Sequence, residues 1–340
     1  MPTPLPLLPT MGVGSYASPG WLVASRERLR DGSFGSGDIE ELYDDATRIA
    51  IADQVEAGLD VISDGELRRN RFVYSLFDRI AGLKRQAPTR KLGVPGYDMA
   101  PHYVAAELPT APEGLGIVAE FVALKELAPG QRLKVALPGP LTFGGGIEAG
   151  TLDPAAVLEA IVAIVRREVL ALSQAGAEHI QLDEPGFAKP PYGISFEDAA
   201  AAISRTLAGI AGRRAVHICF GNNAGRPARD RRLSRLFPAI EAIGADQLVL
   251  EFANREMAEV ECLSRFAERF EIAAGVIDVK SFHMETTEDV ARRVELVLRY
   301  VPAARLWLTA DCGFSALPRI FARAKLQALV AGAKLVRGRL

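Results

Sequence analysis

Short apolar runs alternate with amphipathic stretches from one end of the chain to the other. This is the pattern of parallel strands joined by crossover helices, and eight strand–helix pairs can be counted. The first sets Thr10–Ser15 against a helix near Ile39–Ala57, where Leu42, Ala46, Ile49 and Ala50 share one stripe and Gly58 ends it. Strand-like Leu59–Ser63 precedes a helix near Asn70–Ile80. Leu133–Leu137 leads to a long helix opened by Asp153-Pro154, a capping residue followed by proline at the first helical position. His179–Asp183 pairs with Phe196–Ile210, Ala215–Cys219 with Arg232–Ile243, and Gln247–Glu251 with Ala258–Phe270. Ile272–Val276 then precedes Thr287–Tyr300, and Leu306–Ala310 precedes Leu317–Gly332.

Eight such units predict an α/β fold of the (β/α)8 TIM-barrel type, with residues 1–340 as a single catalytic domain. The alternative, an open doubly wound sheet, lacks the G-x-G-x-x-G that would follow its first strand. One stretch breaks the rhythm. Residues 84–114, rich in Pro, Gly, Lys and Arg, read as an excursion over the barrel between the second and third units, with room for a small hairpin. No repeat of solenoid period is present.

Composition narrows the function classes. The apolar fraction is 49% and the charged fraction 24%, ordinary for a soluble globular chain. A net charge of −2 gives no footprint for nucleic acid or an anionic membrane. No apolar run reaches the ~18 residues of a membrane span, and the proline-broken start has no basic residue before Arg26, unlike a signal peptide. Three cysteines make no disulfide framework and suit a reducing, cytoplasmic setting.

In a barrel, catalytic groups gather at the C-terminal ends of strands, and the informative residues fall at such ends. In Val216-His217-Ile218-Cys219-Phe220, strand alternation points His217 and Cys219 to the same face, ~7 Å apart along the chain. An imidazole and a thiol so placed can share Zn²⁺. Alone, H-x-C equally describes a buried histidine beside a small apolar cysteine. Two further ligand types arrive at neighbouring strand ends: Glu251 closes Leu248-Val249-Leu250-Glu251, and Cys312 lies in Asp311-Cys312-Gly313. Two thiols, an imidazole and a displaceable carboxylate suit a catalytic zinc. Cys262 sits inside the helical pattern Met257–Phe270 and reads as packing.

A second group is acidic. Asp64-Gly65-Glu66 follows the second strand, Asp183-Glu184-Pro185 ends the fourth and Asp278 follows the seventh. Gathered at a barrel mouth, such carboxylates would bind a cationic group such as a substrate ammonium, while Arg68, Arg69 and Arg71 offer the opposite sign for a carboxylate. Taken one at a time, each acid is also an ordinary helix cap or salt-bridge partner.

These residues carry a resemblance to the catalytic, C-terminal barrel of cobalamin-independent methionine synthase, in the superfamily that includes uroporphyrinogen decarboxylase. The matching segments are Gly14-Ser15-Tyr16, DGELRRN (64–70), LPGPLTF (137–143), HIQLDEPGF (179–187), VHICF (216–220), LEFANREM (250–257), AAGVIDVKS (273–281) and LWLTADCGF (306–314). They span nearly the whole chain in the family's order. The resemblance implies zinc on His217, Cys219, Glu251 and Cys312, and an amino-acid ammonium held by Glu66, Asp183 and the backbone at Ser15. It implies transfer of a methyl group to the thiol of homocysteine, with Glu251 the ligand that loosens as the sulfur arrives.

Three departures shape the expectation. The folate-dependent enzymes carry an additional N-terminal barrel. Where they place a stacking tryptophan after G-P-x-T, this chain has Phe143-Gly144-Gly145-Gly146, and glycine cannot stack on a ring. The histidine of the family's D-x-H-S motif is Lys280 here, after Asp278, with His283 three residues on. The expected donor is therefore a methylcorrinoid, free or on a carrier protein, or a less elaborated methylfolate whose leaving nitrogen Lys280 or His283 protonates. A zinc enzyme alkylating coenzyme M is the nearest enzyme alternative, but it requires a sulfonate site. A barrel acting only as a scaffold requires no metal.

Overall fold

The computed structural model describes residues 4–26, 28–69, 74–86, 102–221 and 230–340. Arg71 and residues 87–101 of the excursion lie outside that set. The strands are β1 (Ala81–Gln86), β2 (His102–Thr110), β3 (Val135–Pro138), β4 (Ile147–Glu148), β5 (His179–Asp183), β6 (Arg213–Ile218), β7 (Gln247–Glu251), β8 (Glu271–Ile277) and β9 (Leu306–Ala310). The α-helices are α1 (Gly20–Ser25), α2 (Arg28–Asp31), α3 (Ser36–Ala57), α4 (Tyr74–Phe77), α5 (Ile117–Leu127), α6 (Pro140–Gly144), α7 (Pro154–Gln174), α8 (Phe196–Leu207), α9 (Thr287–Val297) and α10 (Arg319–Arg337). The architecture is mixed α/β with parallel strand pairing, as the alternating pattern predicts.

Two compact units are distinguished by their contacts. One comprises Met1–Arg68, Glu120–Val135 and Gln247–Leu340. In it β7, β8 and β9 pair in parallel, with Glu251 opposite Gly275 and Gly275 opposite Thr309. Parallel bridges continue the series, Thr10 to Leu308, Met11 to Val61 and Ile62 to Leu133. The strands expected at Thr10–Ser15 and Leu59–Ser63 are thus present only as short bridged contacts. Strands β7 and β9 are buried at every position, which is why they read as unbroken apolar runs rather than alternating ones. Helix α3 ends at Gly58, with φ of 85°, where the sequence places its stop.

The other unit comprises Arg69–Ala119 and Ala136–Asp246. Its strands lie in the order β3-β5-β6, and β5 pairs with β6 in register from His179–Arg213 to Asp183–His217. Helix α7 starts as predicted, Asp153 accepting from the Ala155 N–H at 3.2 Å with Pro154 behind it. The excursion does contain a hairpin-like pair: β1 and β2 are antiparallel, and β4 adds to β2 in parallel.

Three helix expectations are corrected. Of the segment Asn70–Ile80 only α4 is helical among the described residues, and the long helix before the third strand is α5, beyond the excursion. Arg232–Ile243 forms two short 3-10 turns, Leu233–Leu236 and Ala239–Ala242, because Pro238 between them lacks the N–H a continuous helix needs. Ala258–Phe270 likewise holds only the 3-10 turn Val260–Arg265, preceded by Glu256, Met257 and Glu259 at positive φ, a conformation no α-helix accommodates.

Candidate metal centre and acceptor site

β6 delivers His217 at its end with Cys219 just after, and the loop after β9 delivers Cys312. A ring nitrogen of His217 and the sulfurs of Cys219 and Cys312 all lie within 4.8 Å of one another, His217 and Cys219 buried and Cys312 half-buried. All three cysteines are free thiols. Tetrahedral zinc, with bonds of ~2.0–2.3 Å, wants donor atoms ~3.3–3.8 Å apart. A group of two sulfurs and an imidazole within 4.8 Å of one another fits that ion in donor type and lies close to that spacing.

The fourth expected ligand is engaged by a buried cation. Glu251 does not join that group. Its Oε2 accepts from the Lys280 ammonium at 2.8 Å, with both side chains almost wholly shielded, at 0% and 3% exposure. Lys280 also turns on its own loop: its backbone N–H donates to Asp278 Oδ1 at 2.7 Å, and the Asp278 N–H donates to Glu285 Oε1 at 2.8 Å. His283, by contrast, is exposed, flanked by exposed Phe282 and Met284. Its carbonyl accepts from Lys325, a fully buried lysine paired with Glu285. The structure therefore separates the two candidate acids, one locked inside and one in solvent.

The acceptor candidates are firmly held. Asp183 lies opposite His217 in the β5–β6 register, so in parallel pairing their side chains share a face. Gln181 Nε2 donates to Asp183 Oδ1 at 2.6 Å and fixes that carboxylate. Glu66 is buried at φ of 56°, a left-handed conformation uncommon for a non-glycine residue. It is held by its own N–H donating to Asp64 Oδ1 at 3.1 Å and by the Tyr16 N–H donating to Gly65 O at 2.8 Å. Ser15 is half-buried, and its carbonyl accepts from the Phe314 N–H at 2.8 Å, two residues past Cys312. Of the arginines proposed for a carboxylate, Arg68 pairs with Glu40 at 2.9 Å and with Asp44, and Arg69 donates to Ala136 O at 2.9 Å.

Two buried carboxylates escaped the sequence reading as positioning groups. Asp311 accepts from the backbone N–H groups of Phe252, Ala253 and Asn254 at 2.6–2.9 Å, tying the start of the Cys312 loop to the residues after Glu251. It fits because residue 275 is glycine: a Cβ there would collide with its Oδ1. Glu184 accepts from the N–H groups of Leu141 and Thr142 at 3.0 and 2.9 Å and from the Thr142 hydroxyl at 2.9 Å. Gly139 leaves it the same kind of room. Burial is the main cause pushing Glu184 up to about 8 and Asp311 up to about 7, with Asp183 and Glu251 adding repulsion respectively. The signal in the sequence was a second acid directly beside each functional residue, in Asp183-Glu184 and Asp311-Cys312.

Over residues 8–335 the sequence matches the family described as cobalamin-independent synthase, catalytic domain. The chain belongs to that family. Methionine synthase of Saccharolobus solfataricus is 30% identical over 334 residues, covering 98% of this chain and 96% of its own length. The methionine synthase of Sulfurisphaera tokodaii is 32% identical, over 98% and 94%. Among solved structures, a B12-independent methionine synthase from a Shewanella species, in complex with selenomethionine, superimposes with a TM-score of 0.83 at 26% identity, over 98% of each chain. A Listeria monocytogenes structure, at 17% identity and a TM-score of 0.71, shares the fold, covering 98% of this chain and 99% of its own. The barrel-type α/β fold expected from the strand–helix alternation is thus the fold of this synthase family. Among the described residues no helix is long and apolar enough to cross a membrane.

Proposed function

We propose that the protein is a zinc-dependent methyltransferase that moves a methyl group onto the thiol of homocysteine, forming methionine. The observation that carries this reading is the approach of His217, Cys219 and Cys312 to within 4.8 Å of one another. Zn²⁺ bound there supplies Lewis acidity that keeps a substrate thiol ionised at neutral pH, and the thiolate is the nucleophile. Asp183, steadied by Gln181, and Glu66, in its strained turn, take the substrate ammonium together with the Ser15 carbonyl. A selenomethionine complex of the Shewanella relative supports an amino-acid substrate of this shape. Two reduced metal-binding thiols suit the cytoplasm.

The donor side supports a leaving group that departs with its electron pair and needs no proton, as a methylcorrinoid provides. Lys280 is turned to Glu251, not presented to a donor. Phe143 is fully buried edge-on against Phe77, with ring centres 5.5 Å apart, and offers no stacking face. A methylfolate is the second reading, because exposed His283 remains accessible as the acid its nitrogen requires. The carboxylates Asp183 and Glu66 count against a sulfonate-bearing thiol such as coenzyme M.

Metal analysis of the purified protein, paired with homocysteine-dependent turnover on methylcobalamin and on methyltetrahydrofolate, tests the proposal. One zinc per chain and methionine formation are expected. Metal-free protein would leave only a scaffold role, and zinc without methionine formation on either donor would point to another thiol.

A further inference from the structure

Two of the proposed acceptor groups, the Ser15 carbonyl and Glu66, meet at a residue the reaction itself does not use. Tyr16 follows Ser15, and its N–H donates to the carbonyl of the Gly65–Glu66 peptide at 2.8 Å. Gly65 and Glu66 are consecutive residues at positive φ, 71° and 56°. Backbone held in that region persists only where its surroundings over-determine it. The approach is close: a Cβ on residue 65 would lie 2.7 Å from the Tyr16 Cβ and 3.0 Å from the Ala50 Cβ on α3. On its other side the Tyr16 ring packs edge-on against Phe314, with ring centres 6.1 Å apart. The Phe314 N–H takes one lone pair of the Ser15 carbonyl and leaves the second for an ammonium.

The Tyr16 side chain is anchored by a buried charge network. Its hydroxyl donates to Asp53 Oδ2 at 3.1 Å, and both residues are buried. Arg319 of α10 grips Asp53 through both oxygens, Nε to Oδ2 at 2.6 Å and Nη2 to Oδ1 at 2.7 Å, and Arg323 adds a contact at 3.1 Å. A bidentate, charge-assisted fork fixes direction as well as strength. Burial first, and the Asp53 charge after it, hold the phenol above its usual range, so it remains a donor. The next residue on α3, Gln54, donates to the Ser63 carbonyl at 2.8 Å and accepts from the Ser63 N–H at 3.1 Å. The Ser63 hydroxyl in turn donates to the Gly14 carbonyl at 3.1 Å. Helix α3 therefore braces both segments, 14–16 and 63–66. All of these residues belong to one compact unit.

We infer that Tyr16 is a positioning residue of the acceptor site: its phenol, locked by Asp53 and the Arg319 fork, sets the Glu66 turn against the Ser15 carbonyl so that both reach one ammonium. This rests on the homocysteine reading above and gives Tyr16 no contact with the reacting atoms. A side chain that served the fold alone would act on metal and substrate alike. Tyr16 acts on the amino-acid end of the substrate.

Calorimetric titration of zinc-loaded protein with homocysteine tests this, with zinc affinity measured alongside by chelator competition. Tyr16→Phe keeps the ring and removes only the hydroxyl. It should weaken homocysteine binding about fivefold or more and leave zinc affinity within about twofold. Asp53→Asn leaves an acceptor for the phenol but loses the arginine fork. It should weaken homocysteine binding about two- to fivefold, and it decides the matter if Tyr16→Phe does not fold. Glu66→Gln supplies the second leg of a cycle. Because Tyr16 acts through the Glu66 turn, the loss in Tyr16→Phe/Glu66→Gln should fall short of the product of the single losses by about threefold or more. Normal homocysteine affinity in Tyr16→Phe, or in Asp53→Asn where that variant must decide, would overturn the inference. So would equal losses of zinc and homocysteine, the result of a purely structural role. Full multiplication of the two losses would overturn it too, by making Tyr16 independent of the turn. Wild-type zinc protein that binds no homocysteine would overturn the acceptor reading itself, an outcome seen before any variant is compared.

Discussion

The ends of β5 and β6 and the loop after β8 are built on opposite plans. At the first, Asp183 and His217 face each other across a strand pair, and Glu184 spends its oxygens on backbone and hydroxyl donors around Thr142. Asp183, Glu184 and His217 are all buried there. After β8, buried Lys280 gives way within four residues to exposed Phe282, His283 and Met284. The contrast separates two tasks. A thiol acceptor and its metal need fixed geometry, whereas an incoming methyl donor needs an approach. On the proposed function, buried strand ends suit the first task and an open loop suits the second.

The largest effect that would break this comparison is at the metal. Cys219→Ser and Cys312→Ser should each reduce zinc from one per chain to a small fraction. Turnover should fall by more than the ~10–100-fold that outer-shell partners cost. The barrel should remain folded by circular dichroism, and full zinc retention in both variants would show the rigid end to be structural only.

Next in size are the ammonium carboxylates. Asp183→Asn and Glu66→Gln should each lose about 1.5–3 kcal/mol of homocysteine binding, roughly a ten- to 150-fold rise in KM, with zinc left in place. Normal KM in both would mean that the acceptor is not an amino acid.

A smaller effect lies in pH. Glu184 sits at about 8 and Asp311 at about 7 in the folded protein, above the ~4 of an exposed carboxyl. A group that holds its proton more tightly when folded stabilises fully below its unfolded value, and that stabilisation is lost as pH rises through the folded one. Metal-free protein should therefore lose thermal stability between about pH 4 and 8, through these two groups. Glu184→Gln, which keeps an oxygen for the Thr142 and Leu141 donors, should flatten part of that slope. A variant slope as steep as wild type would remove Glu184 from the account.

The smallest expected change sharpens the donor side. His283→Ala should alter turnover with methylcobalamin less than about twofold, whereas a general acid contributes ~10²–10⁴-fold. A large loss confined to methyltetrahydrofolate would make exposed His283 the functional substitute for the family's histidine.

How far the sequence reached follows from what is local. The bounds of β5, β7 and β9 coincide with the runs His179–Asp183, Gln247–Glu251 and Leu306–Ala310, because strands buried at every position read as continuous, mainly apolar runs. His217, Cys219 and Cys312 were legible because strand alternation and strand-end position are themselves local rules. The Lys280–Glu251 pair was not, since it joins residues 29 apart, one at the end of β7 and the other in the loop after β8. Nor were the short turns around Pro238 and Glu259, where apolar spacing mimics a helix but proline and left-handed residues forbid one. The positioning roles of Asp311 and Glu184 were not legible for a related reason: which neighbour a buried carboxylate satisfies depends on glycines in other strands and loops, at 275 and 139.

Zinc K-edge X-ray absorption on the wild-type protein, before and after homocysteine, tests the central claim most directly. The account predicts two sulfur neighbours and one imidazole nitrogen on the free enzyme, rising to three sulfurs when homocysteine is added. A sulfur count that stays at two in the presence of saturating homocysteine would contradict it.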